Sequence, residues 1–332
     1  MTAPDNQPAV SPEAVETVEK IDVIVNKRSG TVLRLGEDAV QKGLEDSLGE
    51  RLGSIRFIEG AEIIPSVKGW TEANKGNGRG LILGGGDGSV LAAAGEFLNR
   101  DDITLGVLPL GTHNLFARQL GFSADFREAA KQYANLRTDK VDVGNVNGEN
   151  FLVGLMIDQN SVDFYRAREL FRDRKIFRAA GKFLSTVFGI LAGRRARLDV
   201  SGAEHKGRLF LVANNQFSPR SNEGTLPLPT SEGMKPVIEN ILAKGDSDGQ
   251  LGFYAFKGGA ANLALILPKM WDGTWTQAKS VTVQAAPELV IQPGGKNKEQ
   301  TLPIILDGEE KQVQFPLNVR ALPKALKVYR PK

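Results

Sequence analysis

The chain has 332 residues, 41% of them hydrophobic and 24% charged, with a formal net charge of +3. This is ordinary globular composition at a length suited to about two domains, and the charge is too mild to imply a nucleic-acid partner. The absence of cysteine excludes a disulfide framework and thiolate chemistry, and two histidines, His113 and His205, exclude a histidine-rich metal site and an HExxH motif.

Residues 1–19 carry Pro4, Pro8 and Pro12 among polar residues and read as a disordered tail. They lack the basic and apolar regions of a secretory signal. The longest apolar run, FLSTVFGILA at 183–192, is about half of the roughly 20 residues a spanning helix needs. No transmembrane segment is expected, and the chain reads as cytoplasmic.

From residue 20 onward, strand and helix signals alternate. Strands are predicted at 21–25, 54–58, 81–83 and 105–108, and helices at 38–48, 90–98 and 114–120. Val40, Leu44 and Leu48 fall at helical spacing. Such alternation argues for a wound, Rossmann-like parallel α/β sheet, whose ligands sit at the carboxyl ends of strands. After 141–144 the pattern changes to short strands at 151–157, 208–213, 251–256, 281–283, 289–291, 303–306 and 313–319. Turn residues separate them, which predicts an antiparallel β domain. A helical insertion is expected at 164–191. The predicted division is a tail at 1–19, an α/β nucleotide-binding domain at 20–143 completed by 320–332, and a β-sandwich domain at 144–319.

Three glycine-bearing polar loops end strands of the first domain. In GGGDGS, Gly85, Gly86 and Gly88 let a backbone approach a phosphate without side-chain obstruction. A helix beginning near Ser89 would offer free N–H groups to an anion. Asp87 suits Mg²⁺ or a bound water; a tight turn with Asp87 as a cap is the plain structural alternative. In PLGTHN, Gly111, Thr112 and Asn114 suit phosphate, ribose or base, or else form a proline turn with Asn114 as a helix cap. Asn26-Lys27-Arg28-Ser29-Gly30 is the third loop and brings two cations. GGGDGS is neither a Walker A loop nor a GxGxxG fingerprint, so the conjunction of the three loops carries the expectation of a nucleotide pocket.

With these loops on the page, the chain resembles the diacylglycerol kinase catalytic-domain family, which includes bacterial lipid kinases and sphingosine kinases and is distantly related to NAD kinase. The resemblance runs through residues 26–30 (N-P-x-S-G in the family), 85–89 (G-G-D-G-T) and 109–114 (P-x-G-T-x-N). It continues through VDVG at 141–144, LVANN at 211–215, DGQL at 248–251 and Asp307-Gly308-Glu309, closing on the strand at 325–331. It implies an α/β nucleotide-binding domain, a β-sandwich, a final strand returning to the first domain, and an active site in the cleft between them. ATP would be lined by Gly85, Gly86, Asp87, Gly88, Ser89, Val90 and Leu91 with Thr112, and by Asn26, Ser29, Gly30, Gly111 and Asn114 of the flanking loops. Asp307 would match the proton acceptor. Glu309 beside it would bind metal or raise the first carboxyl's pKa. Asp248 would be a side-chain ligand of a structural Mg²⁺, with backbone oxygens from Gly245 and Gln250. The implied activity is ATP- and Mg²⁺-dependent phosphorylation of a lipid hydroxyl. A soluble NAD kinase-like enzyme and a non-catalytic lipid- or nucleotide-binding relative are the alternatives.

This sequence departs from the family at Ser89 (usually Thr), Lys27 (usually Pro) and Ile58 (often Thr). It departs most after Phe151, where LVGLMIDQNSVDF replaces a pattern rich in Asn, Ser and Gly and displaces Asp158 and Asn160. Residues 164–197 are strongly basic beside an apolar helical stripe at Phe177, Ala180, Leu184, Phe188 and Leu191. They suit either an interfacial helix on anionic membrane or a helix packed on the sandwich with a solvated basic face. Trp271 and Trp275 suit the same surface, or the core.

Overall fold

The computed structural model describes residues 20–112, 114–157, 196–217, 248–258, 274–295 and 301–332, with Asn262, Ile266 and Lys269. The expected tail, the helical insertion, the basic segment 164–195, Asp158, Asn160, Gly245 and Trp271 lie outside the described residues.

The first part alternates β1 (Ile21–Asn26), α1 (Gly30–Leu35), α2 (Glu37–Leu48), β2 (Leu52–Ile58), α3 (Ile63–Ala73), β3 (Gly80–Gly85), α4 (Asp87–Ala94), β4 (Thr104–Pro109), α5 (Leu115–Gln119) and α6 (Phe126–Gln132). The strands are parallel in the order β2-β1-β3-β4. β1, β3 and β4 are apolar runs buried on both faces, as a sheet covered by helices requires. Val40, Leu44 and Leu48 of α2 are buried in the same core. Each such side chain contributes about 1.5–3 kcal/mol of transfer free energy.

The second part contains β5 (Leu136–Val146), β6 (Glu149–Phe151), β7 (Gly154–Ile157), β8 (Ala196–Val200), β9 (Ala203–Gly207), β10 (Leu209–Ala213), β11 (Leu251–Phe256), β12 (Val281–Ala286), β13 (Glu288–Pro293), β14 (Thr301–Leu306), β15 (Glu309–Gln314) and β16 (Leu317–Pro331). One sheet runs β12-β11-β10-β7-β14-β15 with antiparallel pairing throughout. It faces β5, β8, β13 and β16 across a second core that includes Leu155, Phe210, Phe253, Ile291, Ile304 and Val319. This is the expected sandwich.

The two parts share a sheet. β16 pairs with β13 through Leu317–Arg320, then runs parallel to β4 at Val328, while β5 follows it antiparallel along both halves. The crossing is marked by a register shift between Leu322 and Leu326, around Pro323 and a left-handed Lys324 (φ 49°). Proline cannot donate to a ladder, so the strand bulges there and re-aims toward the first domain.

Several boundaries differ from the sequence expectation. α4 starts at Asp87 rather than near Ser89, with Gly86 as its N-cap. The expected strand at 151–157 is split by the Leu152-Val153 turn, and the one at 313–319 is broken at Phe315-Pro316. α1, α3, α6 and the β8–β9 hairpin are additional elements.

Candidate active site

All three predicted loops sit at the carboxyl ends of β1, β3 and β4 and touch one another. The Asn26 amide donates to Ser89 Oγ at 3.0 Å, and its Oδ1 accepts from Arg28 N at 3.0 Å. Leu110 N and Gly111 N both donate to Gly85 O, at 3.0 and 3.2 Å, and Thr31 N donates to Leu110 O at 3.0 Å. The backbone thus binds loop one to loop three and loop three to loop two.

The glycines divide by what a side chain would meet. A Cβ on Gly85 would fall 2.7 Å from Ser89 Cβ, and one on Gly111 would run into the Gly86 backbone, so packing alone demands both. Gly30 has nothing within 4 Å, Gly88 meets only the tip of Glu309 at 3.0 Å, and Gly86 meets Gly111 Cα at 3.4 Å. Of those three, Gly30 faces open space and Gly88 meets a flexible side-chain tip. Gly86 has φ −89° and ψ 176°, ordinary extended backbone, so its use here is space rather than a left-handed turn.

Other predicted residues take defined places. Asp87 Oδ1 accepts from Phe116 N at 3.1 Å, fixing the start of α5. Asn114 is left-handed (φ 51°), and its side chain accepts from Gly111 N at 2.8 Å and donates to Gly111 O at 3.0 Å, so it braces its own loop. Thr112 is exposed. Val90 is buried in the core, so any contact with a ligand runs through its backbone. Leu91 packs partly against the same core. Ser29 is buried and its Oγ finds no partner among the described residues. Lys27 is paired with Glu59 at 3.1 Å, so one of the two loop cations is engaged at the rim.

The second domain brings its carboxylates to the same place. Asp307 and Gly308 form the two-residue connection between β14 and β15, with φ 46° and 92°, and Leu306 pairs with Glu309 across it. Asp307 is buried; Oδ1 accepts from Val153 N and Gly154 N at 2.9 and 2.8 Å, and Oδ2 from Leu152 N at 2.5 Å. Burial pushes its carboxyl up to about 6, the three N–H donors oppose that, and the charge of Asp87 adds to it. Glu309 is exposed and is the neighbour of Gly88.

The remaining motifs meet at the crossing of the closing strand. Asp142 of VDVG is fully buried and accepts from Gly249 N and Lys324 N, both at 2.7 Å. Asn214 of LVANN donates to Asp142 O at 2.7 Å and Leu152 O at 3.1 Å. Asp248 Oδ2 accepts from Gln216 Nε2 at 3.0 Å and Oδ1 from Gln250 N at 2.9 Å. Asn214 Oδ1 and Asn215 Oδ1 are buried without a partner among the described residues. Asp248 and the orphaned amide oxygens of Asn214 and Asn215 are donors of the type a hard cation takes, but among the described residues no group of three or more His, Cys, Asp or Glu is placed to hold a metal. The structural role of Asp142 is one that sequence reasoning missed; its only signal is membership of the VDVG match.

Residues 20–146 match the family model of the diacylglycerol kinase catalytic domain. A diacylglycerol kinase of Bacillus subtilis (strain 168) is 39% identical over 74 residues, 22% of this chain and 24% of the relative. A protein of Klebsiella pneumoniae (strain 342) named probable lipid kinase YegS-like is 34% identical over 107 residues, 32% of each. These matches therefore span about a quarter to a third of the curated relatives. Over nearly the whole length, the fold is that of a diacylglycerol kinase from Bacillus anthracis str. Sterne, with TM-score 0.59 and 18% identity over 93% of this chain and 96% of that one. A second solved chain from the same organism aligns with TM-score 0.64 and 19% identity, covering 96% and 98%. The matched segment contains all three loops, and the likeness in fold extends beyond it.

Proposed function

We propose that the chain is an ATP-dependent lipid kinase, transferring the γ-phosphoryl group of ATP to a hydroxyl of diacylglycerol or a related lipid. One observation carries this reading: Glu309 of the DGE turn reaches to 3.0 Å from where a Cβ on Gly88 would lie, which brings an acidic hairpin up to the glycine loop. Phosphoryl transfer asks the protein for positioning and charge neutralisation more than for covalent chemistry. In this reading ATP lies over the loops at 26–30, 85–91 and 111–114, with its phosphates at the N-terminus of α4, where free N–H groups favour an anion. The loop–loop hydrogen bonds preorganise that cradle. A carboxylate of the DGE turn receives the hydroxyl proton as the lipid oxygen bonds to the γ-phosphorus and the bond to the bridging oxygen breaks.

Magnesium, when bound, neutralises phosphate charge. A second, structural Mg²⁺ would be held by Asp248 with the backbone of Gln250 and Gly245, beside the orphaned oxygens of Asn214 and Asn215, and would stiffen the crossing of β16. Among the described residues no helix is long and apolar enough to cross a membrane. We place the enzyme at the cytoplasmic membrane face, held there by the basic segment 164–197 and anionic headgroups.

The test is transfer of label from γ-labelled ATP to a panel of diacylglycerol, sphingoid base, ceramide and phosphatidylglycerol in mixed micelles, with NAD as a soluble acceptor. Label in an extracted lipid supports the proposal. Label in NAD alone points to a metabolite kinase, and ATP binding without transfer points to a non-catalytic relative.

A further inference from the structure

We infer that Asn77 is a site of spontaneous covalent modification in the folded protein. Its side-chain amide is lost through a cyclic imide, which leaves an isoaspartyl or aspartyl residue in the turn between α3 and β3. The same dipeptide at Asn147-Gly148 is protected by the fold. This chemistry is independent of the phosphoryl-transfer reading.

Asn-Gly occurs twice in the chain, at 77–78 and 147–148. The reaction it permits is intramolecular. The backbone nitrogen of the glycine bonds to Cγ of the asparagine, and the bond from Cγ to Nδ2 breaks. The amide nitrogen leaves as ammonia, taking up the proton that the glycine nitrogen gives up. Water then adds to either carbonyl of the five-membered imide and opens it. Glycine favours the attack because it has no Cβ in the way and its backbone turns easily. Two further conditions depend on the fold. The side-chain amide must be free to swing over the next backbone nitrogen, and that nitrogen must not be engaged elsewhere.

At 147–148 the fold withholds both. The pair is the two-residue connection between β5 and β6, with φ 49° and 93° and Val146 opposite Glu149. That is the geometry of a type I′ turn. The Asn147 side chain is clamped to the chain beside it: Nδ2 donates to Gln314 O at 3.3 Å and Pro316 O at 3.2 Å, and Oδ1 accepts from Asn318 N at 2.8 Å. The attacking nitrogen is held as well, because Gly148 N donates to Asn145 Oδ1 at 3.1 Å. Electrophile and nucleophile are tied to different partners. A carboxylate formed here would also face two carbonyl oxygens where the amide now donates.

At 77–78 both conditions are met. The Asn77 side chain and Gly78 N make no hydrogen bond among the described residues; of this pair only Asn77 N is held, by Asn74 O at 3.2 Å. Gly76 and Gly78 on either side are left-handed (φ 78° and 67°), and a Cβ on either would meet nothing within 4 Å. Ring closure therefore meets no packed neighbour. Exposure alone does not separate the two sites, since Asn77 and Asn147 are both exposed; the hydrogen bonds do. The product carries a new negative charge at the amino end of β3. That strand is six residues long, so the charge arises about 20 Å from the glycine loop at its other end.

The experiment holds the full chain for weeks at mildly alkaline pH, once folded and once in urea, and maps its peptides by mass spectrometry with fragmentation that separates isoaspartate from aspartate. In the folded chain position 77 is expected to lose its amide at least about tenfold faster than position 147, the protection that a locally stable segment gives. In urea the two positions should convert at similar rates. Asn77→Gln, which lengthens the side chain and disfavours the five-membered ring, should remove the conversion at 77 and melt with the parent. The inference is overturned if position 147 converts in the folded chain as fast as position 77. It is equally overturned if position 77 keeps its amide in the folded chain and loses it in urea.

Discussion

The backbones of Gly86 and Gly111 pack directly on one another, so that a Cβ on Gly111 would collide with Gly86 Cα. The second and third loops are therefore held together by the lack of side chains at their contact. Gly30 bears no such load, having nothing within 4 Å of its absent Cβ. Gly111→Ala should cost about 1–3 kcal/mol, as overpacking in a tight site does, and should weaken ATP binding through the displaced loop. Gly30→Ala should leave stability within about 0.5 kcal/mol of the parent yet lower ATP affinity, because the new methyl group occupies space that is open beside the first loop. Urea melts with ATP titration by calorimetry check both. A Gly30→Ala variant that binds ATP like the parent would remove the first loop from the pocket.

The pH dependence of stability has a defined sign at Asp307. Its carboxyl is pushed up to about 6 by burial, whereas in the unfolded chain it titrates near 4. Between those values the folded chain binds the proton more tightly than the unfolded one, so this group's contribution to stability falls as pH rises and reaches its minimum above about 6. The span corresponds to at most about 3 kcal/mol. Asn at this position does not titrate. The stability advantage of the parent over Asp307→Asn should therefore shrink from pH 4 to pH 7 in urea melts. Parallel profiles would show that the carboxyl titrates as in the unfolded chain.

Asp248 offers a third test. Its carboxylate, Gln216, Asp142 and the orphaned oxygens of Asn214 and Asn215 surround the crossing of β16. With Mg²⁺ present the parent should melt higher than in chelator, and Asp248→Ala should melt at one temperature in both. Activity should fall in the variant through the loosened domain junction, with KM for ATP less affected than kcat. Equal melting of the parent with and without chelator would argue against a cation at this place.

The loops were legible because glycine and proline punctuate apolar runs: Leu81–Leu83 into GGGDGS and Leu105–Leu108 into PLGTHN each announce a strand ending in a turn. The sandwich was legible from alternation and turn spacing. Elements with mixed signals were not. α3 carries Pro65 in its first turn and a polar end, and α1 is six residues long and begins at Gly30. The β8–β9 hairpin turns at Ser201 and Gly202, both left-handed, but Arg197 ahead of it draws the eye into the preceding basic run. β16 is hardest to read, because Pro323 signals a strand end at the very place where the strand bulges and passes between domains. The role of Asp142 depends on Gly249 and Lys324, which lie 107 and 182 residues away. No local pattern encodes contacts at that separation.

The most direct measurement is the phosphorus balance of a single incubation of the full chain with ATP, Mg²⁺ and diacylglycerol micelles, read by ³¹P NMR of the aqueous and organic phases. A lipid kinase working through this site produces one lipid phosphomonoester in the organic phase for each ADP in the aqueous phase, and none when Asp307→Asn and Glu309→Gln are combined. ADP and free phosphate without a lipid phosphomonoester, or a phosphomonoester formed equally well by that double variant, would contradict the account.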